Sequence, residues 1–261
     1  MSLQKKRCPM PDISIITAAF NAGATIAACL ASVATQTVAC EHVIVDGAST
    51  DDTVALLESY SGHPIRWRSA TDRGVYDAMN QGIAMATGDI VGILNADDCY
   101  AASDVLAAVR QAFAAPGIDA CYGDLCYVDM EEPTKIVRYW RAGTFSPRSF
   151  YWGWMPPHPT FFVRREVYER YGGFNLALGS AADYELMLRF LLRYKIKAAY
   201  IPKILVNMRV GGISNKTLGN RLRANRNDRR AWSVNGLMPL PWTLLAKPLR
   251  KLGQWWQKPV Y

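Results

Sequence analysis

Apolar and polar positions alternate in blocks along the first half of the chain. Ile13 to Ala19 is a short apolar run bounded by Pro11 before it and by Asn21 and Gly23 after it, the pattern of a buried strand. Ile26, Leu30 and Val33 follow at helical spacing, with Cys29 on the same face. Val43 to Val45 is a second buried run, ending at Asp46, and Ser49 to Asp52 has the spacing of a capping box before a helix carrying Val54 and Leu57. Ile65 to Arg68 reads as a weaker strand, and Val75, Met79 and Ile83 share one helical face. Ile90 to Leu94 is a third clear strand that ends at Asn95, Asp97 and Asp98, and Val105, Val109 and Phe113 mark a further helix. Strands alternating with amphipathic helices predict an α/β fold, with a mostly parallel central sheet and helices on both faces.

The alternation weakens from about Tyr122, where aromatics, prolines and arginines become dense. Helical spacing returns at Arg164 to Tyr171, closed by Gly172 and Gly173, and at Ala181 to Tyr194. Strand-like runs follow at Thr160 to Val163 within this region, then at Ala198 to Ile201 and Ile204 to Met208. At 261 residues with half of them hydrophobic, the chain can bury a sizeable core in one compact domain.

Charge adds a polarity to this plan. The net charge of +8 comes from 30 Lys and Arg against 22 Asp and Glu, with Asp concentrated before Asp129 and Arg and Lys after Arg138. Such a surplus suits phosphate-bearing partners without choosing among them. The cysteines at 8, 29, 40, 99, 121 and 126 lack zinc-ligand spacing, which fits a reducing, cytosolic setting. The basic N-terminus lacks the apolar core of a signal peptide, and no apolar run reaches the ~18 residues of a membrane span.

In an open α/β sheet, ligands bind beyond the carboxyl ends of the strands. The residues that follow the strands there are Thr17, Phe20 and Asn21, then Asp46, then Asn95, Asp97 and Asp98. The first turn lacks the Gly-rich dinucleotide fingerprint and no P-loop occurs, which argues against hydride transfer and against P-loop ATP hydrolysis. Adjacent carboxylates behind a buried strand repel unless a cation lies between them, and hard oxygen ligands suit Mg²⁺ or Mn²⁺. A turn with helix-capping aspartates is the competing explanation. His158, within Pro156 to Pro159, either faces a ligand or metal or is an ordinary hydrogen-bonded histidine. Trp140, Tyr151, Trp152 and Trp154 either stack on sugar rings or pack the interior. The arginines at 221, 223, 226, 229 and 230, and the Trp- and Leu-bearing stretch from Leu237 to Trp256, either lie in a membrane interface or form a terminal helix packed on the domain.

The blocks Ser14 to Asn21, Val43 to Thr53, Asp72 to Gly82, Thr87 to Asp89 and Leu94 to Asp98 resemble family 2 glycosyltransferases of GT-A fold. The likeness continues through His158 to Phe161, Gly172 to Phe174, Ala182 to Glu185 and Gly211 to Ser214. It implies a metal-dependent, inverting transfer of a sugar from a nucleotide-diphosphate donor, with UDP as the expected nucleotide, to a hydroxyl of a glycan or lipid-linked acceptor. In that pattern Thr17 and Phe20 cradle the base, Asp46 hydrogen-bonds it, Asp72 and Arg73 sit near base and phosphates, and Asn95 lies near the ribose. Asp97, with Asp98 beside it, holds Mn²⁺ or Mg²⁺; Asp183 is the catalytic base; His158 is on the acceptor or metal side. Two positions depart from the family: Asn95 stands where Asp is usual, and Ala182 where an acidic residue is common. The implied division is a nucleotide-sugar-binding half at 1–125, an acceptor-binding and catalytic half at 126–215, and a basic tail at 216–261, in a cytoplasmic enzyme held at the inner face of a membrane, with no nucleic-acid partner. A nucleotidyltransferase-like enzyme and a catalytically silent carbohydrate- or lipid-binding module are the alternatives; the first usually carries a Gly-rich basic loop after its first strand, and this chain has none.

Overall fold

A computed structural model describes residues 13–210 and 218–255. Cys8, the block Gly211 to Ser214, Trp256 and the side chains of Arg221, Arg223, Leu252 and Trp255 lie outside the described residues. The elements of the first half are β1 (Ile13–Ala19), α1 (Ile26–Ala34), β2 (Glu41–Asp46), α2 (Thr53–Glu58), β3 (Ile65–Ser69), α3 (Val75–Met85), β4 (Ile90–Ile93), β5 (Cys99–Tyr100) and α4 (Val105–Ala114). Then come β6 (Ala120–Val128), β7 (Ile136–Trp140), α5 (Pro147–Tyr151), β8 (Phe162–Arg164), α6 (Arg165–Tyr171), α7 (Ala182–Met187), β9 (Ala198–Arg209), α8 (Leu218–Val234) and α9 (Thr243–Leu252). A π-helical turn, Leu188–Arg193, continues α7.

The strands form one sheet in the order β3-β2-β1-β4-β8-β6-β9-β5, with β7 paired to β6. The expected mostly parallel sheet needs correction: the sheet is mixed. β3, β2, β1 and β4 run parallel, whereas β8 is antiparallel to both β4 and β6, β7 is antiparallel to β6 and β5 to β9. Only β6 and β9 restore parallel pairing in the second half. The two runs expected at 198–201 and 204–208 are one strand whose register shifts at Gly123 to Leu125 of its partner. β6 also runs through position 125.

Alternation along β1 sends its side chains to two cores. Ile13 and Ile15 pack with Cys29 and Val33 of α1 and with Val105 and Val109 of α4. Ile16 and Ala18 pack with Ala78 and Met79 of α3 and belong to the same cluster as Val167, Leu186 and Phe190 of the second half. The α1 face is as expected: Ile26, Cys29, Leu30 and Val33 are buried. The α3 face differs, because Val75 is 48% exposed and Ala78, Met79 and Gly82 form the buried stripe. Trp154 packs the interior: it is buried, donates from Nε1 to Ala142 O at 2.6 Å and meets Tyr122 and Phe150 edge-on. Trp152 instead lies exposed on Trp242.

Candidate active site

The chain winds outward from β1 to β3 and then returns to β4 on the other side of β1, so the sheet's switch point lies between β1 and β4. The loops leaving β1, β2 and β3 are tied to one another there. Asn21, at a left-handed φ of 49°, accepts from Thr50 N at 2.9 Å, and its own N–H donates to Ser49 Oγ at 2.8 Å. Asp46 is fully buried and accepts from Ser49 N at 2.9 Å, from the Ser49 hydroxyl, and from Ser69 Oγ at 2.6 Å. Ser49 is thus committed to Asp46 and forms no capping box with Asp52; Asp51 bonds Thr53 N at the start of α2 instead.

Beside this knot is an open aromatic surface. Phe20 is 63% exposed, unusual for a large apolar side chain that is free to fold inward. A Cβ on Gly47 would lie 2.8 Å from Asp72 Oδ2 and 3.4 Å from the Phe20 ring, so Phe20, Gly47 and Asp72 converge and glycine keeps the gap between them open. Asp72 accepts from Gly74 N at 2.7 Å. Arg73 is largely exposed and pairs with Asp77 at 2.8 Å, which raises the Arg73 pKa and lowers that of Asp77.

Thr17 does not join this surface. Its side chain is fully buried on the α1 side, near Cys29 Sγ, and its hydroxyl shares a 2.9 Å hydrogen bond with His42 Nε2. His42 in turn bonds His63, which bonds the Tyr60 hydroxyl. Burial, and then the neighbouring His63, hold His42 well below its usual pKa, so it is neutral at pH 7. Thr17 is therefore one end of a buried relay.

Beyond β4, Asn95 donates from Nδ2 to Asp98 Oδ2 at 2.9 Å. Asp98 is fully buried and its Oδ1 has no hydrogen-bond partner. Burial, then the charge of Asp97, drives the Asp98 pKa upward, while Asn95 and Arg209 oppose that rise. An amide at position 95 makes physical sense here: it can donate to Asp98, which a third carboxylate could not.

Asp183 lies at the start of α7, partly exposed, and accepts from Tyr184 N at 2.7 Å. Burial first, then the nearby charge of Asp183, raise the Tyr76 pKa. Phe174 packs against both Tyr76 and His158, with ring centroids 5.2 and 5.5 Å away. Burial lowers the His158 pKa and the charge of Asp183 opposes that fall. Burial raises the Tyr127 pKa, the Arg138 guanidinium 3.6 Å from its ring centre opposes that rise, and the charges of Asp98 and Asp183 add to it.

Tyr76, Tyr127 and Arg138 were not singled out by sequence reasoning. Tyr76 lies inside the Asp72 to Gly82 block, so its position was visible without its role. Tyr127 and Arg138 meet only through the pairing of β6 with β7.

Asp46 yields a test of what its buried hydrogen bonds do. Asp46→Ala should raise the donor KM more than it lowers kcat, and destabilise the fold by ~1–3 kcal/mol because Ser49 and Ser69 lose their acceptor. Donor saturation curves and urea unfolding measure both. A stability loss with unchanged KM would confine Asp46 to holding the turn.

A family model described as Glycosyl transferase family 2 matches residues 14–172. An uncharacterized glycosyltransferase of Mycobacterium tuberculosis is 35% identical over 185 residues, covering 70% of each chain. A PGL/p-HBAD biosynthesis glycosyltransferase of Mycobacterium bovis is 32% identical over 210 residues, covering 78% of this chain and 80% of its own. Among solved structures, Staphylococcus aureus TarS 1-349 in complex with UDP-GlcNAc superposes with a TM-score of 0.66 at 17% identity, over 86% of this chain and 66% of that one. The mannosyltransferase PcManGT from Pyrobaculum calidifontis, in complex with GDP-Man and Mn²⁺, gives 0.64 at 22% identity, over 91% and 69%. Both structural likenesses bear on the fold alone.

Proposed function

The chain belongs to glycosyl transferase family 2 and is a sugar-transfer enzyme, and from that premise we propose an inverting transfer from a nucleotide-diphosphate sugar to a hydroxyl of a glycan or lipid-linked acceptor. Asp183 takes the acceptor proton as that oxygen attacks the anomeric carbon. The bond from that carbon to the diphosphate oxygen breaks, the nucleoside diphosphate departs with the electron pair, and the configuration inverts. The observation that carries this reading is the placing of Asp183: partly exposed at the start of α7, held by Tyr184 N–H, with its charge acting on the neighbouring Tyr76 phenol.

In this reading Phe20 stacks on the base, taken to be uracil, with Asp72 and Arg73 beside the base and phosphates and Asn95 toward the ribose. Residues 1–125 serve the donor, 126–215 the acceptor, and 216–261 form the tail. His158 and Phe174 wall the acceptor side near Asp183.

A divalent cation suits the acidic end in part. Asp97 and the unpartnered Oδ1 of Asp98 are hard donors, although no group of three or more His, Cys, Asp or Glu converges on a metal position among the described residues. Two carboxylates completed by substrate phosphates is a common way to hold Mg²⁺. When bound, Mn²⁺ or Mg²⁺ would offset negative charge on the leaving diphosphate. Chelation should lower nucleoside-diphosphate release, added Mn²⁺ should restore it, and Asp97→Asn should reproduce the chelated state; release unaffected by either would remove the metal from the proposal.

A panel of nucleotide sugars, read by diphosphate release and by the anomeric configuration of the product, tests the reaction. A retained anomer would overturn the role given to Asp183. No helix among the described residues is long and apolar enough to cross a membrane. We place the enzyme in the cytoplasm at the inner face of the membrane, where a lipid-linked acceptor is available.

A further inference from the structure

A cavity of about 260 Å³ opens beside α9, lined by Trp140, Arg141, Trp154, Lys247, Arg250 and Gln254. None of these residues belongs to the transfer machinery described above. Arg141, Lys247 and Arg250 are cationic. Lys247 is partly neutralised by Asp228 at 2.8 Å, and it covers the Tyr184 ring at 3.7 Å. Arg141 and Arg250 are exposed at the cavity. Gln254 is 7% exposed, and its Oε1 is buried without a hydrogen-bond partner. The side-chain amide also carries two N–H donors, and the oxygen and nitrogen ends can exchange by a half-turn. Two guanidinium groups, an ammonium and an amide make a donor set for an oxyanion.

On the face of α9 turned away from the cavity, Leu245 and Leu249 recur at helical spacing with Trp242 just before the helix, and the three are 64%, 64% and 43% exposed. Met238 and Leu240 precede them, and Trp152 packs on Trp242 with centroids 5.7 Å apart. The helix is seated firmly: a Cβ on Gly153, at φ 74°, would lie 2.3 Å from the backbone N of Lys247. Amphipathic helices with Trp and Leu on one side and cations on the other lie in bilayer interfaces.

We propose that this cavity binds the phosphate of an anionic phospholipid headgroup, with the Trp242, Leu245 and Leu249 face of α9 seated in the adjoining acyl boundary. An apolar face alone would take any greasy partner; the cationic cavity on the neighbouring side of the same helix selects a phosphate attached to acyl chains. The proposal deepens the membrane placement above and is independent of the transfer reaction.

The test uses the full chain with phosphatidylcholine vesicles, with or without phosphatidylglycerol, in co-sedimentation. Each basic residue near an anionic leaflet contributes about fivefold in partitioning. Wild type should prefer the anionic vesicles. Arg141→Gln with Arg250→Gln, and separately Gln254→Glu, should lose about tenfold or more of that preference while keeping weak binding to neutral vesicles. Leu245→Ser with Leu249→Ser should lose binding to both. Donor turnover in the absence of lipid should be unchanged in all of them, so failure here leaves the transfer reading standing. Lipid-charge preference that survives both the arginine pair and Gln254→Glu would overturn the site. Gln254-dependent binding of inorganic phosphate with no preference for anionic vesicles would overturn the lipid source.

Discussion

Asp183→Asn is expected to lower kcat by ~10²-fold or more while donor binding survives. The substitution keeps the shape of the side chain and removes its capacity to accept a proton. Tyr184 N–H can still donate to the Asn carbonyl oxygen, so the start of α7 should hold its geometry. The Tyr76 hydroxyl provides an internal comparison. Its pKa is raised by burial and then by the charge of Asp183, so Tyr76→Phe should affect turnover through the same carboxylate, by a smaller factor. Donor KM and kcat measured at saturating acceptor separate these effects, with melting curves as a check on folding. Weak donor binding with normal turnover at saturation would move Asp183 to the donor half.

The second large effect concerns stability. Arg189→Met should destabilise the protein by ~3–5 kcal/mol. Arg189 is 9% exposed and Glu185 2% exposed, and they pair through two contacts, Nε to Oε1 at 2.9 Å and Nη2 to Oε2 at 3.0 Å. The same guanidinium donates to the carbonyls of Tyr171, of Gly172 at 2.8 Å and of Gly173 at 2.6 Å, closing the end of α6. Asn235 of the following loop donates to Glu185 Oε1 at 3.1 Å. Methionine fills much of the space but leaves Glu185 charged and unpaired in the interior, which is the costly condition. Glu185→Leu with Arg189→Met removes both charges and should recover part of the loss. Urea unfolding decides it: a cost below ~1 kcal/mol for Arg189→Met would mean that Glu185 finds another partner. Glu185 lies two residues after Asp183 on α7, so this pair also sets the platform for the proposed base.

The parts of this architecture that depend on local periodicity could be read directly. The buried stripe of α1 and the ends of β1, β2 and β4 follow from 3.6- and 2-residue spacing, which short-range sterics impose. Thr17 shows a signal that was present and unused. It shares parity with Ile13 and Ile15, so alternation alone turns it toward α1 and away from Phe20. Ser49 has the spacing of a cap but a stronger acceptor nearby in Asp46. The mixed sheet could not be read the same way. Short apolar runs have no direction, and whether β8 enters antiparallel between β4 and β6 is decided by pairing between distant segments. Tyr127 and Arg138 become neighbours through the register of the antiparallel β6–β7 pair, which apolar spacing alone does not set.

β5 follows Asp98 immediately and pairs with β9, Cys99 opposite Asn207 and Tyr100 opposite Val206. The segment that carries the two carboxylates is therefore fastened to residues more than a hundred positions later. Contacts of such separation form late, because the intervening chain must first be confined. During vectorial synthesis the ribosome delivers β1 to β4 well before β9, so a nascent chain displays the Phe20 surface while its acidic loop is still unfastened. The Phe20 surface and the carboxylate segment are in this way completed at separate moments in the life of each molecule, with β9 as the later one.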